Sequence, residues 1–286
     1  MKIDGKLLAE SILLKLAADV AHLASRGVIP TLAVILVGDN PASLAYIKQK
    51  QKAADRIGAH IVFDHQPATM TPDDLRTRIK TYNSDPSVHS LITQRPVPEE
   101  MENVSDILNT ISHEKDVDGF LPDSPFDVPV ALAVGEILKF VHSKSTTEQK
   151  DYITWVKEKH IVVIGKGETA GAPILRYLEK QHCTTSLIHS QTPNPTDIMK
   201  QADIIISCVG KERVVPAGAV KSGAILISVG LWRNQIGKLR GDYEEDEIAD
   251  SAAWYTPTPG GVGPVNVACL MQNLIKACKM NTAHLR

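Results

Sequence analysis

At 286 residues, 43% hydrophobic and 22% charged, the chain has the length for two compact domains and the composition of an ordinary globular protein. A formal net charge of -2 gives no electrostatic case for nucleic acid or an anionic membrane surface, and no apolar run is long enough to cross a bilayer. Cys183, Cys208, Cys269 and Cys278 are scattered without C-x-x-C spacing, which argues against a disulfide framework or a structural zinc site.

The chain opens with MKIDGKLLAESILLKL, amphipathic and carrying acids, which reads as a folded helix of a cytoplasmic protein and not as a signal peptide. TLAVILVG (31–38) is a continuous apolar run ending in glycine, the pattern of a strand buried on both faces. DNPASLAYIKQKQKAADRIG (39–58) follows as a helix, with Asp39 and Asn40 as cap candidates, Pro41 in the first turn and Gly58 as the stop. At about 100° per residue, Lys48, Gln49, Lys52, Asp55 and Arg56 share a polar sector. Ile47, Ala54 and Ile57 gather opposite, and Lys50 projects toward that packed side with Tyr46 one turn earlier. A lysine so placed either snorkels its ammonium to water or loses hydration and acquires a pKa useful for proton transfer.

HIVFDHQ (60–66) and HSLITQ (89–94) read as strands. TPDDLRTRIKTYNSD, capped by Thr71, and MENVSDILNTI (101–111) read as helices. This alternation implies a largely parallel α/β sheet, whose ligands collect at the carboxyl ends of the strands. Gly38, Gln94 and the loop KDVDGF (115–120) belong to that edge. Gln94 and Asp118 there either satisfy turn backbone groups or face a ligand.

VPVALAVGEILKFVHSK (128–144) reads as a long helix and STTEQK (145–150) as an exposed loop before a second domain. HIVVIGKGETAGAPILRYLEK (160–180) is strand, glycine turn, helix. Its Gly165, Gly167 and Gly171 are one residue longer in spacing than the usual dinucleotide fingerprint, and either bind a phosphate or only make a tight turn. The next strand, 184–190, ends at His189 and Ser190 without the acid that binds a ribose hydroxyl in NAD enzymes. With Lys166 in the glycine turn, this favours NADP over NAD; a lone His189 is otherwise structural. The runs 201–210 and 223–230 are buried strands ending at Val209-Gly210 and Val229-Gly230. GKLRGDYEEDE (237–247) reads as a polar connection. TPTPGGVGP then compresses prolines and glycines before an apolar helix whose Val267, Leu270, Met271, Leu274 and Ile275 must pack, back on the first domain.

In this order DGK, VGDNPAS-x-x-Y-x-x-x-K, KDVDG, VVIGKG-x-x-x-G-x-P, ADI-x-I-x-x-VGK and TPTPGGVGP-x-x-VA span nearly the whole chain. The combination resembles the bifunctional methylenetetrahydrofolate dehydrogenase/cyclohydrolase family. The resemblance implies two α/β domains around a cleft, the second a Rossmann-like NAD(P)-binding domain. Residues 1–127 with 265–286 would bind folate and carry catalysis, and 128–264 would supply the linker helix and the NADP site. Lys50 would be the acid/base, tuned by Gln94, with Tyr46 near the reacting bridge and Asp118 accepting from the pterin ring. Gly260, Gly261, Val262, Gly263 and Pro264 would shape the folate and nicotinamide pocket, and Lys166 and Ser190 would meet the adenine-ribose phosphate. Tetrahydrofolate one-carbon derivatives, NADP and a second copy of the chain are the implied partners, with no nucleic acid, membrane or metal. The chain departs from the family at Arg95, where members carry leucine, in the shortened loop after Phe120, and at Lys166, where arginine is common. These departures leave two alternatives beside the bifunctional enzyme: a member with one activity, or a non-catalytic folate- or nucleotide-binding paralogue.

Overall fold

Continuous apolar runs separated by capped helices build two parallel sheets in the computed structural model, which describes residues 1–145 and 150–282. The chain forms two units, one of Met1–Ala9 with Val130–Asn266 and one of Glu10–Pro129 with the residues from Val267 onward.

Helix α1 (Gly5–Ala24) starts where Asp4 Oδ1 accepts from the N–H groups of Lys6 and Leu7. It is followed by β1 (Thr31–Val37), α2 (Pro41–Ile57), β2 (His60–Gln66), α3 (Pro72–Ser84), β3 (Ser90–Thr93) and α4 (Val104–Leu108). The sheet order is β2-β1-β3, all parallel. The central β1 is buried at every position, as its unbroken apolar run requires. Ala33, Ile35 and Val37 pack under Leu75 and Ile79 of α3 and Ile107 and Leu108 of α4. Helix α4 is shorter than the span 101–111 expected from the sequence. Asn103 sits in the left-handed region with no side-chain cap bond, and a helix without a cap or length nucleates poorly; Met101 and Ile111 reach the core from irregular chain instead.

The chain continues with α5 (Pro129–Ser145), α6 (Tyr152–Lys157), β4 (His160–Ile164), α7 (Gly171–Lys180), β5 (Thr184–Ile188), α8 (Pro195–Met199), β6 (Ile204–Ser207) and β7 (Ala224–Ser228). Then come the hairpin β8 (Trp232–Arg233) and β9 (Leu239–Arg240), α9 (Glu245–Ile248), β10 (Ala252–Tyr255) and α10 (Val262–Asn281). The five-stranded order is β10-β7-β6-β4-β5, so the strand order reverses between β4 and β6. Met1 and Lys2 run beside β10, with Ile3 N–H donating to Tyr255 O at 2.8 Å.

Two readings of this half change. The segment 237–247, expected to be a polar connection, contains β9, α9 and the buried Asp242 and Tyr243. Both polar groups are satisfied internally, Tyr243 by donating to Thr256 O at 2.7 Å, so burial costs little. Of the expected loop 145–150, Ser145 closes α5 and accepts from Trp254 Nε1 at 2.8 Å, while 146–149 lie outside the described residues. Helix α6, which the sequence reading did not assign, follows under the Asp151 cap.

Candidate active site

Helix α2 fixes the first set of groups. Asn40 Oδ1 accepts from Ala42 and Ser43 N–H at 3.0 Å each, Pro41 opens the first turn, and Gly58 closes the helix at φ 81°. The phase this sets leaves Lys48 and Lys52 exposed and buries Lys50 to 8%. The Lys50 ammonium does not snorkel. Its Nζ donates to Gln94 Oε1 at 2.9 Å, and Gln94 Nε2 donates to Arg95 O at 2.8 Å, so the amide is held from both ends.

Burial pulls the Lys50 pKa below the ordinary lysine value, and the Asp118 charge partly opposes it. Burial also pushes the Asp118 carboxyl up, against the Lys50 and Arg95 charges. The pair is therefore poised, each group's neutral form favoured by desolvation and its charged form by the other. Tyr46, one turn before Lys50, is half-buried, and burial raises its phenol pKa. It makes no hydrogen bond to these groups.

The turn that carries Asp118 is braced on all sides. Lys115 Nζ donates to Tyr82 O at 2.8 Å and Asp85 O at 2.7 Å, and Asp116 Oδ2 accepts from Leu121 N–H at 3.0 Å. Asn273 of α10 donates to Val117 O and Asp127 O, both at 2.9 Å. Gly119 has φ 69°, and a Cβ there would lie 2.6 Å from Phe126 O, so no other residue fits. The Arg95 guanidinium lies 4.8 Å from the centre of the Phe120 ring. Thr93, Arg95, Asp116, Asp118 and Phe120 help line a pocket of about 30 Å³.

The other unit gathers its site residues at the carboxyl edge of its sheet. Gly165 follows β4 at φ 96°, and a Cβ on Gly171 would lie 1.9 Å from Gly165 O. Among the described residues, the N–H groups of Lys166, Gly167, Glu168 and Thr169 have no partner. Unpaired donors in a glycine turn ahead of a helix fit a phosphate group. Lys166 and Ser190, both exposed, each stand two residues past the paired Ile164 and Ile188. His189 is spent on its own turn: Nδ1 accepts from Gln191 N–H at 3.2 Å, and its N–H donates to Thr192 Oγ1 at 2.9 Å. Val209-Gly210 and Val229-Gly230 follow β6 and β7. Gly260 has φ 102°, and a Cβ on Gly261 would lie 2.6 Å from Pro257 O. Val262, Gly263 and Pro264 form the first turn of α10.

Four residues escape the sequence reading. Lys115 and Asp116 lie inside KDVDG, where the sequence singles out only Asp118. Asn273 stands in an apolar helix, where an isolated amide is a usable signal of buried carbonyls. Asp242 gives none.

Residues 3–118 match the family model described as tetrahydrofolate dehydrogenase/cyclohydrolase, catalytic domain, and residues 146–282 match its NAD(P)-binding domain. The chain is 37% identical to a bifunctional protein FolD of Halalkalibacterium halodurans, over 97% of this chain and 98% of that one. A crystal structure of the FolD methylenetetrahydrofolate dehydrogenase/cyclohydrolase from Campylobacter jejuni superposes with a TM-score of 0.90 at 34% identity, covering 98% and 99% of the two chains. The Trypanosoma brucei enzyme, solved with NADP cofactor and an inhibitor, gives 0.87 at 30% identity, covering 98% and 97%.

Proposed function

The chain belongs to the tetrahydrofolate dehydrogenase/cyclohydrolase family, and from that premise we propose that it oxidises 5,10-methylenetetrahydrofolate with NADP and hydrolyses the 5,10-methenyl product to 10-formyltetrahydrofolate. The observation that carries the assignment of roles is the buried Lys50 amine bonded to Gln94 beside Asp118.

NADP supplies the hydride acceptor for the first step. Asp118 accepts hydrogen bonds from the N–H edge of the pterin ring and orients the one-carbon bridge, with Tyr46 beside it. In the second step a water attacks the methenyl carbon. Lys50, favoured as the neutral amine by burial, takes one proton of the water as the C–O bond forms and gives it to the ring nitrogen as the C–N bond breaks, while the remaining hydroxyl proton leaves to solvent and the formyl C=O forms. Gln94 holds the amine in line for both transfers. The free N–H groups after Gly165 would hold the cofactor phosphates, Lys166 and Ser190 would meet the 2′-phosphate, and Val209-Gly210, Val229-Gly230 and 260–264 would shape the rest of the dinucleotide contacts.

The test follows methenyl absorbance and NADPH formation in wild type and Lys50→Met, with NADP and with NAD. Wild type is expected to reduce NADP in preference to NAD, and the variant to lose methenyl hydrolysis by about 100-fold or more, the usual weight of a positioned acid/base. Undiminished hydrolysis in Lys50→Met removes Lys50 from the mechanism. Folate binding without turnover in wild type identifies a binding paralogue.

No described helix is long and apolar enough to cross a membrane. A cytoplasmic homodimer is the assembly carried over from the resemblance, and Ile236, 83% exposed beyond β8, offers an apolar point of contact. Light scattering on the purified chain tests the stoichiometry.

A further inference from the structure

Asp242 lies in the segment 237–247 that its sequence marks as a solvent-facing connection, yet it is fully buried. Its carboxylate is surrounded by donors. Oδ2 accepts from Ser207 Oγ at 2.7 Å and Val209 N–H at 2.9 Å, and Oδ1 accepts from Gly210 N–H at 2.7 Å and Lys211 N–H at 3.0 Å. Three successive backbone N–H groups converging on one point form a nest of the kind that binds anions, and here the protein fills it with its own carboxylate. The Asp242 N–H in turn donates to Ser228 Oγ at 2.9 Å, and its carbonyl accepts from Val215 N–H at 3.0 Å.

The place matters. The turn 208–211 follows β6, the strand next to β4 where the order reverses, and dinucleotides lie at that switch point. A Cβ on Gly165 would sit 3.0 Å from Cys208 O, so the turns after β4 and β6 form adjoining walls. A Cβ on Gly230 would lie 2.3 Å from both Asp242 Oδ2 and Gly210 N. The carboxylate therefore explains why the turn after β7 must also be glycine.

We infer that Asp242 is the positioning residue of the NADP site, holding the turns after β6 and β7 in the shape that receives the dinucleotide. The inference rests on the NADP assignment above. It also divides the labour: the N–H groups of 209–211 are consumed internally, and phosphate binding is left to the turn after β4.

The experiment titrates NADPH fluorescence against wild type and Asp242→Asn, and measures the KM for NADP, kcat and thermal melting. Asparagine keeps the shape but turns an NH2 toward the N–H donors, so the nest must open. The expected result is a rise of about tenfold or more in NADPH Kd and NADP KM, equivalent to a loss of about 1.4 kcal/mol of binding energy. The kcat at saturating NADP and the cofactor-free hydrolysis of methenyltetrahydrofolate should stay within about twofold of wild type. A merely structural role would lower the melting temperature and scale both activities down together, with Kd unchanged; that result overturns the inference. Should Asp242→Asn not fold, Ser207→Ala removes one donor of the four, and an NADPH Kd indistinguishable from wild type then overturns it. Absence of NADP-dependent turnover and NADPH binding in wild type overturns instead the functional reading on which this rests.

Discussion

Lys50 and Asp118 share one desolvated setting, and their titrations are linked through it. On the proposed mechanism hydrolysis needs Lys50 able to accept a proton, so its rate should rise with pH, beginning below the ordinary lysine range because burial lowers the amine's pKa. Substitutions on either side then shift the profile in opposite directions. Gln94→Glu places a carboxylate where an amide oxygen now accepts from Nζ, so Lys50 holds its proton more tightly. The rising limb moves to higher pH, and the rate at neutral pH falls about tenfold or more. Asp118→Asn removes the charge that now raises the Lys50 pKa, so the limb moves to lower pH while the folate KM increases. pH–rate profiles of methenyl hydrolysis check both signs. Arg95→Leu removes a cation that favours the Asp118 carboxylate. Asp118 then protonates at a higher pH, and the folate KM should climb on acidification before that of wild type does.

At the scale of elements, α2 was the most legible part of the chain. Its stop, start and buried face follow from a cap, a proline, a glycine and one period, and the structure reproduces each. Asn40→Ala should therefore cost about 1 kcal/mol of stability, read as a lower denaturation midpoint with unchanged slope. The glycine turn after β4 was legible as a motif, but its strictness was not. Gly171→Ala must drive a Cβ into the Gly165 backbone, and should weaken NADPH binding about tenfold or more by displacing the turn. Methenyl hydrolysis, whose proposed groups Lys50, Gln94 and Asp118 lie in the other unit, should be spared. What the sequence hid was of one kind. Lys115, Asp116 and Asp242 act through main-chain carbonyls and N–H groups supplied by other segments, and a backbone partner leaves no letter to pair with. Helix α4 failed for the converse reason: its apolar spacing was real, but the core receives those side chains from chain that is only briefly helical.

At the scale of the molecule, the order of the chain does not follow the order of its units. The unit that carries Lys50 and Asp118 takes its last helical segment from beyond Val267, after the whole five-stranded sheet has been made. In that segment Val267, Leu270, Met271, Leu274 and Ile275 are buried to 6% exposure or less. Burial of five such side chains is worth about 10 kcal/mol, as much as the entire stability of a typical domain. Asn273 adds the bonds to Val117 O and Asp127 O that bracket the Asp118 turn. A chain ended at Asn266 keeps Lys50, Gln94, Asp118 and the whole strand set, yet should lose the cooperative unfolding of this unit and all methenyl hydrolysis. Asn273→Ala should keep the fold but remove the bonds to the buried Val117 O and the half-buried Asp127 O, at a cost of about 1–3 kcal/mol, and raise the folate KM more than it lowers kcat. Urea unfolding followed by circular dichroism, with methenyl hydrolysis on the same samples, separates the outcomes. A cooperative transition and hydrolysis retained in the shortened chain would mean that residues 10–129 close their own core, and that the part of α10 from Val267 onward only decorates it.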